Sequence, residues 1–195
     1  MGKDTQRGRL VATAAEVFHA RGYAATGVRE VAGEAGVPHG SLTNHFRSKE
    51  ALGLAALDHY AERLEATMAA TLANPDLAPR ERLEAYFDRI EALLDDGGFR
   101  RGCLVVDLAA EIPPHSEAIR IRLAEVMSRQ SGAFEEVLAA MLAGRDGGRA
   151  GDLGAFLMAA WQGTMLRVKV ERSAQPLRRF RRVLAREYPP RAAGA

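Results

Sequence analysis

Between Pro38 and Lys49 the chain sets His39, Gly40, Ser41, Thr43, Asn44 and His45 around only two large apolar residues, Leu42 and Phe46. Hydroxyls, imidazoles and a carboxamide at this density suit a core poorly. They suit the base edges of a DNA major groove, which present donors, acceptors and a methyl group. Ser48 and Lys49 follow directly and can offer a hydroxyl, a helix terminus and a charge to a phosphate. The second residue able to do chemistry is Cys103, the only thiol of the chain. It follows Arg100-Arg101 near the start of a predicted helix, and both features favour the thiolate and would lower its pKa. The same residue also reads as a small buried core cysteine. The five histidines, His19, His39, His45, His59 and His115, lie mostly in the first segment or at loops. No oxyanion loop, phosphate loop or metal-ligand spacing accompanies them, so no enzyme, cofactor or metal site is expected. His45 is assigned to a phosphate contact.

These side chains need short helices to hold them. Leu10, Ala14, Val17 and Phe18 repeat at one helical face, and Gly22 is the expected stop. Thr26 or Gly27 starts a second helix, with Val28, Val31 and Ala32 inward and Glu30 in its first turn. Gly36 breaks it, because a tight turn needs the positive φ that glycine tolerates. Val37 plugs the angle, Pro38 suits a first helical position, and Leu42 and Phe46 anchor a third helix inward. The pattern is a helix-turn-helix. The expected DNA-contacting set is Thr26, Gly27, Val28, Arg29, His39, Gly40, Ser41, Thr43, Asn44, His45 and Lys49.

Everything downstream also reads as helix, and no segment alternates with period two. Helices are expected from Lys49 to Leu72, after Pro79 to Gly97-Gly98, from about Gly102 to Ile112, and from Ser116 through Met141. Gly144 to Gly151 reads as a loop. A strongly apolar helix follows over about Asp152 to Arg172, and a last one begins at Pro176. The expectation is an all-α chain of nine helices: a helix-turn-helix head over 1–50, then an effector-binding and dimerisation body over 51–195. The helix after Asp152 is apolar over more than one face, with Leu153, Phe156, Leu157, Met158, Trp161, Met165, Leu166, Val168 and Val170. A helix in a small body needs one apolar stripe, so the surplus suggests a partner.

Charge is unevenly spread. Residues 1–50 carry seven Lys/Arg against five Asp/Glu, residues 51–166 eleven against eighteen, and residues 167–195 nine against two. A basic head agrees with DNA binding. The cluster Arg178, Arg179, Arg181 and Arg182 reads as a solvated helix face. No apolar run approaches the roughly 18 residues of a membrane span. A polar N-terminus without a signal pattern and a single cysteine add to an expectation of a cytoplasmic protein.

The motifs Arg21-Gly22-Tyr23, Thr26, Val28-Arg29, Val31-Ala32, Ala35-Gly36-Val37, Gly40-Ser41-Leu42, His45-Phe46 and Ser48-Lys49-Glu50-Ala51-Leu52 resemble the N-terminal domain of TetR-family transcriptional regulators. The resemblance covers about the first 55 residues. It implies a regulator whose last two helices, about 152–188, pair with those of a second copy. Two recognition helices would then lie roughly 34–36 Å apart on a pseudo-palindromic operator. One position departs from the pattern. The family usually carries Tyr after the Leu of the recognition helix, commonly on a phosphate, and here Thr43 stands there. That contact is weaker, absent, or turned toward a thymine methyl.

The stretch Arg101-Gly102-Cys103-Leu104-Val105-Val106-Asp107-Leu108-Ala109-Ala110-Glu111, with Ser116-Glu117 and Arg120, resembles the ligand domain of the NemR-like subgroup of that family, which senses electrophiles and bleach. So does Val168-Lys169-Val170-Glu171-Arg172-Ser173 with Pro176-Leu177. The resemblance implies that Cys103 is the sensor and Lys169 its companion. A noncovalent effector would instead use a cavity among Tyr86, Phe87, Leu104, Leu108, Phe134, Trp161 and Met165, residues that are core first and pocket second. A helical adaptor that binds protein and a cysteine-dependent enzyme are the alternatives. The polar face of the recognition helix and Lys49 argue against the first, and the missing catalytic partners against the second.

Overall fold

The computed structural model describes residues 3–142 and 150–187. Among these are nine helices and no strand: α1 (Lys3–Arg21), α2 (Val28–Glu34), α3 (His39–His45), α4 (Lys49–Ala70), α5 (Pro79–Asp96), α6 (Leu104–Glu111), α7 (Glu117–Met141), α8 (Ala150–Glu171) and α9 (Gln175–Glu187). The all-α expectation holds. Most of the loop expected between Gly144 and Gly151 lies outside the described residues. The chain forms two compact units. One holds residues 1–64 and 103–127, the other 65–102 and 128–195.

In the first unit α1, α2 and α3 enclose a small core of Leu10, Ala14, Phe18, Val31, Ala32, Val37, Leu42 and Phe46, all buried. The two expected glycine turns are present, with φ of +87° at Gly22 and +61° at Gly36. Pro38 falls one place earlier than expected. It is the residue before α3, extended at ψ 140°, and the helix opens at His39. Ser48 caps α4 as expected, its hydroxyl accepting the Ala51 amide at 3.0 Å. Each residue of Arg21-Gly22-Tyr23 has a separate task. The Arg21 guanidinium grips Glu30 and Glu34 of α2, and those hydrogen bonds raise its pKa. Gly22 supplies the turn. The Tyr23 ring meets Phe18 edge-on at 5.1 Å and lies against α4 where Gly53 leaves room.

Helix α6 and the first half of α7 belong to this same unit. Arg122 of α7 ties to Asp58 of α4 at 2.6 Å, and Ile119 of α7 packs beside Gly53.

The second unit is built on aromatic rings from α5, α7, α8 and α9. Tyr86, Phe87, Phe134, Trp161 and Phe180 pack ring against ring, with centroids 5.3 to 6.4 Å apart. Offset and edge-on contacts at such separations are favourable beyond simple burial. Leu93 of α5, which its spacing would place inward, is exposed. Nor is the arginine cluster of α9 uniformly solvated. Arg179 and Arg182 are exposed, but Arg181 lies over the Phe87 ring and binds Glu84, Asp88 and Glu91 of α5. Burial lowers its pKa, yet the bonds to Glu84 and Asp88 outweigh that and leave it above the ordinary value.

Helices α7 and α8 approach closely at Gly154. A Cβ there would lie 2.9 to 3.2 Å from the Cβ, Cα and N of Glu135, and the last two are main-chain atoms that cannot swing aside. Gly154→Val should therefore cost about 1–3 kcal/mol, as overpacking does, read as a lower denaturant midpoint with the slope unchanged.

Candidate functional site

Helix α3 turns its apolar residues inward and its polar ones out, as the spacing required. Leu42 and Phe46 are buried, whereas Gly40, Thr43 and Asn44 are exposed and Ser41 and His45 are half-buried. The Thr43 hydroxyl donates to the Gly40 carbonyl at 2.9 Å, which occupies its proton and leaves its oxygen as an acceptor. His39 opens the helix; its side chain lies outside the described residues. At the start of α2, Gly27 and Arg29 are exposed and Val28 is half-buried.

Thr26 does not join them. It is 1% exposed, and its hydroxyl donates 2.7 Å to the Gly22 carbonyl. This side chain closes the turn between α1 and α2 and is turned away from solvent. Proximity to the helix start suggested an external role, but the hydroxyl satisfies a carbonyl that the end of α1 leaves open.

Lys49 also has an inward engagement. Its Nζ donates to the Ala24 carbonyl at 3.3 Å and sits 4.4 Å from the Tyr23 ring centroid. Loss of water lowers its pKa, while the Glu111 carboxylate acts the other way. An ammonium has three donors, so two remain for a phosphate. Two further basic residues lie near α3. Arg47 is exposed in the turn between α3 and α4, and Arg7 of α1 lies 5.3 Å from the Phe46 ring at the end of α3. Arg47 could have been found from its place two residues before Lys49. Nothing local announces Arg7, since folding alone brings it beside α3.

Cys103 is the residue before α6, with φ −120° and ψ 122°. The expectation that neighbouring arginines and a helix start would lower its pKa is overturned. Burial raises it, and the amides of Val106 and Val105 and the Tyr60 hydroxyl only partly offset this. Arg100 is exposed to solvent, where water screens its charge. Tyr60 of α4 also meets the His19 ring of α1 at 5.8 Å, and His19 Nε2 lies 3.8 Å from the Asp107 carboxylate of α6. The thiol thus stands beside a buried polar group shared by α1, α4 and α6. The preceding residue, Gly102, lies against α8: a Cβ there would be 2.7 Å from the Met165 carbonyl and 3.6 Å from the Lys169 Cβ. Only glycine fits that approach.

Of the residues expected to line a cavity, Tyr86, Phe87, Phe134 and Trp161 are in mutual ring contact and fully or nearly buried, and Met165 is buried on α8. Leu104 and Leu108 are buried on α6. Each holds a core position.

On α8 the residues Asp152, Phe156, Ala159, Gly163, Leu166 and Val170 are all exposed, at alternating steps of four and three. Phe156, Leu166 and Val170 are 67%, 50% and 75% exposed. That is the heptad spacing of a helix seam. A Cβ on Gly163 would meet nothing within 4 Å.

A three-helix head with a polar face on its third helix, joined to a helical body, defines a DNA-binding transcriptional regulator. The chain belongs to the TetR family: residues 10–56 match bacterial regulatory proteins of the tetR family, and residues 79–183 match the C-terminal domain of LmrA/YxaF-like transcriptional regulators. It is 35% identical over 186 residues to the transcriptional repressor DhaR of Mycobacterium sp. strain GP1, covering 92% of this chain and 90% of that one. Against the transcriptional repressor NemR of Escherichia coli K12 it is 30% identical over 190 residues, covering 91% and 92%. The crystal structure of E. coli NemR in its reduced form superposes with a TM-score of 0.82 at 28% identity, covering 98% and 99%. These likenesses support the NemR-like subgroup. Regulators of this family bind DNA operators and dimerise; they are not enzymes. No helix among the described residues is long and apolar enough to cross a membrane.

Two expectations follow. Asn44→Ala should change preference at one base pair of a bound site by about 1–3 kcal/mol, whereas Thr26→Ala should lower thermal stability and leave relative preferences alone; binding to a randomised DNA pool measures both. Only the thiolate alkylates, and a raised pKa keeps Cys103 in the thiol form at neutrality. N-ethylmaleimide should therefore label the native protein more slowly than free cysteine at pH 7, with a rate rising about tenfold per pH unit through the alkaline range. Rapid labelling with a plateau below pH 7 would contradict the burial effect.

Proposed function

We propose that the chain is a homodimeric repressor that holds a pseudo-palindromic operator through the outer face of α3 and releases it when an electrophile or oxidant reacts at Cys103. The observation that carries this reading is the place of Cys103 in the fold. It directly precedes α6, which belongs to the compact unit of the DNA-binding head, and Gly102 before it lies against Met165 and Lys169. Cys103 is half-buried, with Tyr60, Val105 and Val106 beside its sulfur, so an adduct there presses on the start of α6. The relatives DhaR and NemR are both repressors, which supports the direction of control.

In the covalent step the Cys103 proton leaves to solvent and the sulfur lone pair forms a bond to the electrophilic carbon. The displaced electron pair of the acceptor then takes up a proton from water. The raised pKa of the thiol makes this slow at rest. The dimer forms through the exposed seam of α8, extended by α9 over about 152–188. Phe156, Leu166 and Val170 supply its apolar area, and Ala159 and Gly163 let two helices approach closely.

The DNA upstream of the protein's own gene is the natural probe for a mobility-shift assay. The wild type should bind it with affinity falling steeply with salt, as counterion release demands, and N-ethylmaleimide should release it. Cys103→Ser should bind equally well and stay bound under the reagent. Leu166→Glu with Val170→Glu should give monomers that bind at least about 100-fold more weakly. A Cys103→Ser protein that still lets go under the reagent would sink the sensor reading, and a monomeric wild type the dimer.

A further inference from the structure

The corner between α6 and α7 grips both ends of the helix-turn-helix. Glu111, the last residue of α6, accepts the Ala24 amide at 2.7 Å through Oε2. The Ala24 carbonyl of that same short turn receives the Lys49 ammonium at 3.3 Å. Ala24 is thus held on its N–H by α6 and on its C=O by the start of α4. The other Glu111 oxygen lies where a Cβ on Gly22 would come within 2.8 Å, so the carboxylate fits against the turn only because residue 22 has no side chain. Five residues beyond Glu111, the buried Ser116 caps α7 by accepting the Ile119 amide at 3.1 Å and donates its hydroxyl to Glu50 in the first turn of α4. Between the two grips, Ile112 is buried and Pro113-Pro114 restrict the backbone. Residues 24 and 50 bracket α2 and α3.

We propose that this corner is a clamp that sets the orientation of α3 from outside the three-helix head, with Glu111 as the positioning residue. A carboxylate is the strongest acceptor a side chain offers to a main-chain amide, so the tie is stiff for its size. Helix α6 has eight residues and is roughly 12 Å long. Cys103 stands at one end of it and Glu111 at the other. A displacement at the cysteine therefore reaches the Gly22 turn along one rigid helix and passes through no other loop. The inference deepens the operator-binding reading and depends on it only for its DNA arm.

Hydrogen exchange on the full-length protein tests the clamp directly. In Glu111→Ala the amides of residues 22–50 should exchange about tenfold faster, most at Ala24, while those of α8 and α9 hold. Glu111→Gln, which keeps an acceptor oxygen, should stay within about threefold of wild type. On the upstream DNA, Glu111→Ala should bind about tenfold more weakly with the same salt slope, since it removes orientation and no phosphate contact. Should Glu111→Ala fail to fold, Ser116→Ala opens the other grip and carries the same test. Wild-type exchange over 22–50 overturns the clamp, and so does faster exchange with unaltered affinity. Failure of the wild type to bind this DNA would count against operator recognition, leaving exchange to decide the clamp.

Discussion

A head of three short helices buries too little apolar surface to hold its recognition helix rigid by itself. Its core is a handful of residues around Phe18, Val31, Leu42 and Phe46, and α2 and α3 have only seven residues each. Helices this short are marginal without support from tertiary contacts. The remaining structure of the first unit answers that constraint. Arg21 braces α2, Tyr23 spans to α4, and α6 and α7 add the ties at Ala24 and Glu50. The chain leaves this unit after Leu64 and returns at Cys103 to complete the unit that presents α3.

How much of this was legible in the sequence depends on how local each cause is. Gly22, Gly36 and Ser48 act within a turn, and their places followed from residue type alone. The inward and outward faces of α3 followed from the spacing of Leu42 and Phe46. So did the surplus face of α8, whose exposed seam was visible as apolar residues beyond what one stripe requires. What failed to show were relations across the chain. The Thr26 hydroxyl looks available until the carbonyl of Gly22 is seen beside it. Lys49 reads as a free charge until the Tyr23 ring and the Ala24 carbonyl are in place. Arg181 reads as one of a solvated cluster, but the acids that hold it lie some ninety residues earlier on α5. Nothing in the order of residues says that α6 belongs to the head.

Cys103 shows the same division with the sign of an effect at stake. Its sequence neighbours argue for an acidic thiol, and its surroundings argue for the opposite. Arg100 points into water, where its field is weak, whereas the sulfur has lost its own solvent. Desolvation acts on the charged form at close range, so it outweighs an exposed cation nearby. In the sensing role proposed for it, such a thiol is quiet at rest. The Tyr60 hydroxyl and the amides of Val105 and Val106 favour the thiolate once it forms.

The clamp also bears on how large a signal is required. A hydrogen bond to a charged group contributes about 1.5–3 kcal/mol, and a neutral one about half that. Coupling between an effector site and a distant site is typically about 1–3 kcal/mol. Both ties end on a carboxylate, Glu111 on the Ala24 amide and Glu50 on the Ser116 hydroxyl, so together they are of the order of such a coupling. In a two-fold dimer each head carries one clamp and both must hold α3 in register for a palindrome to be read.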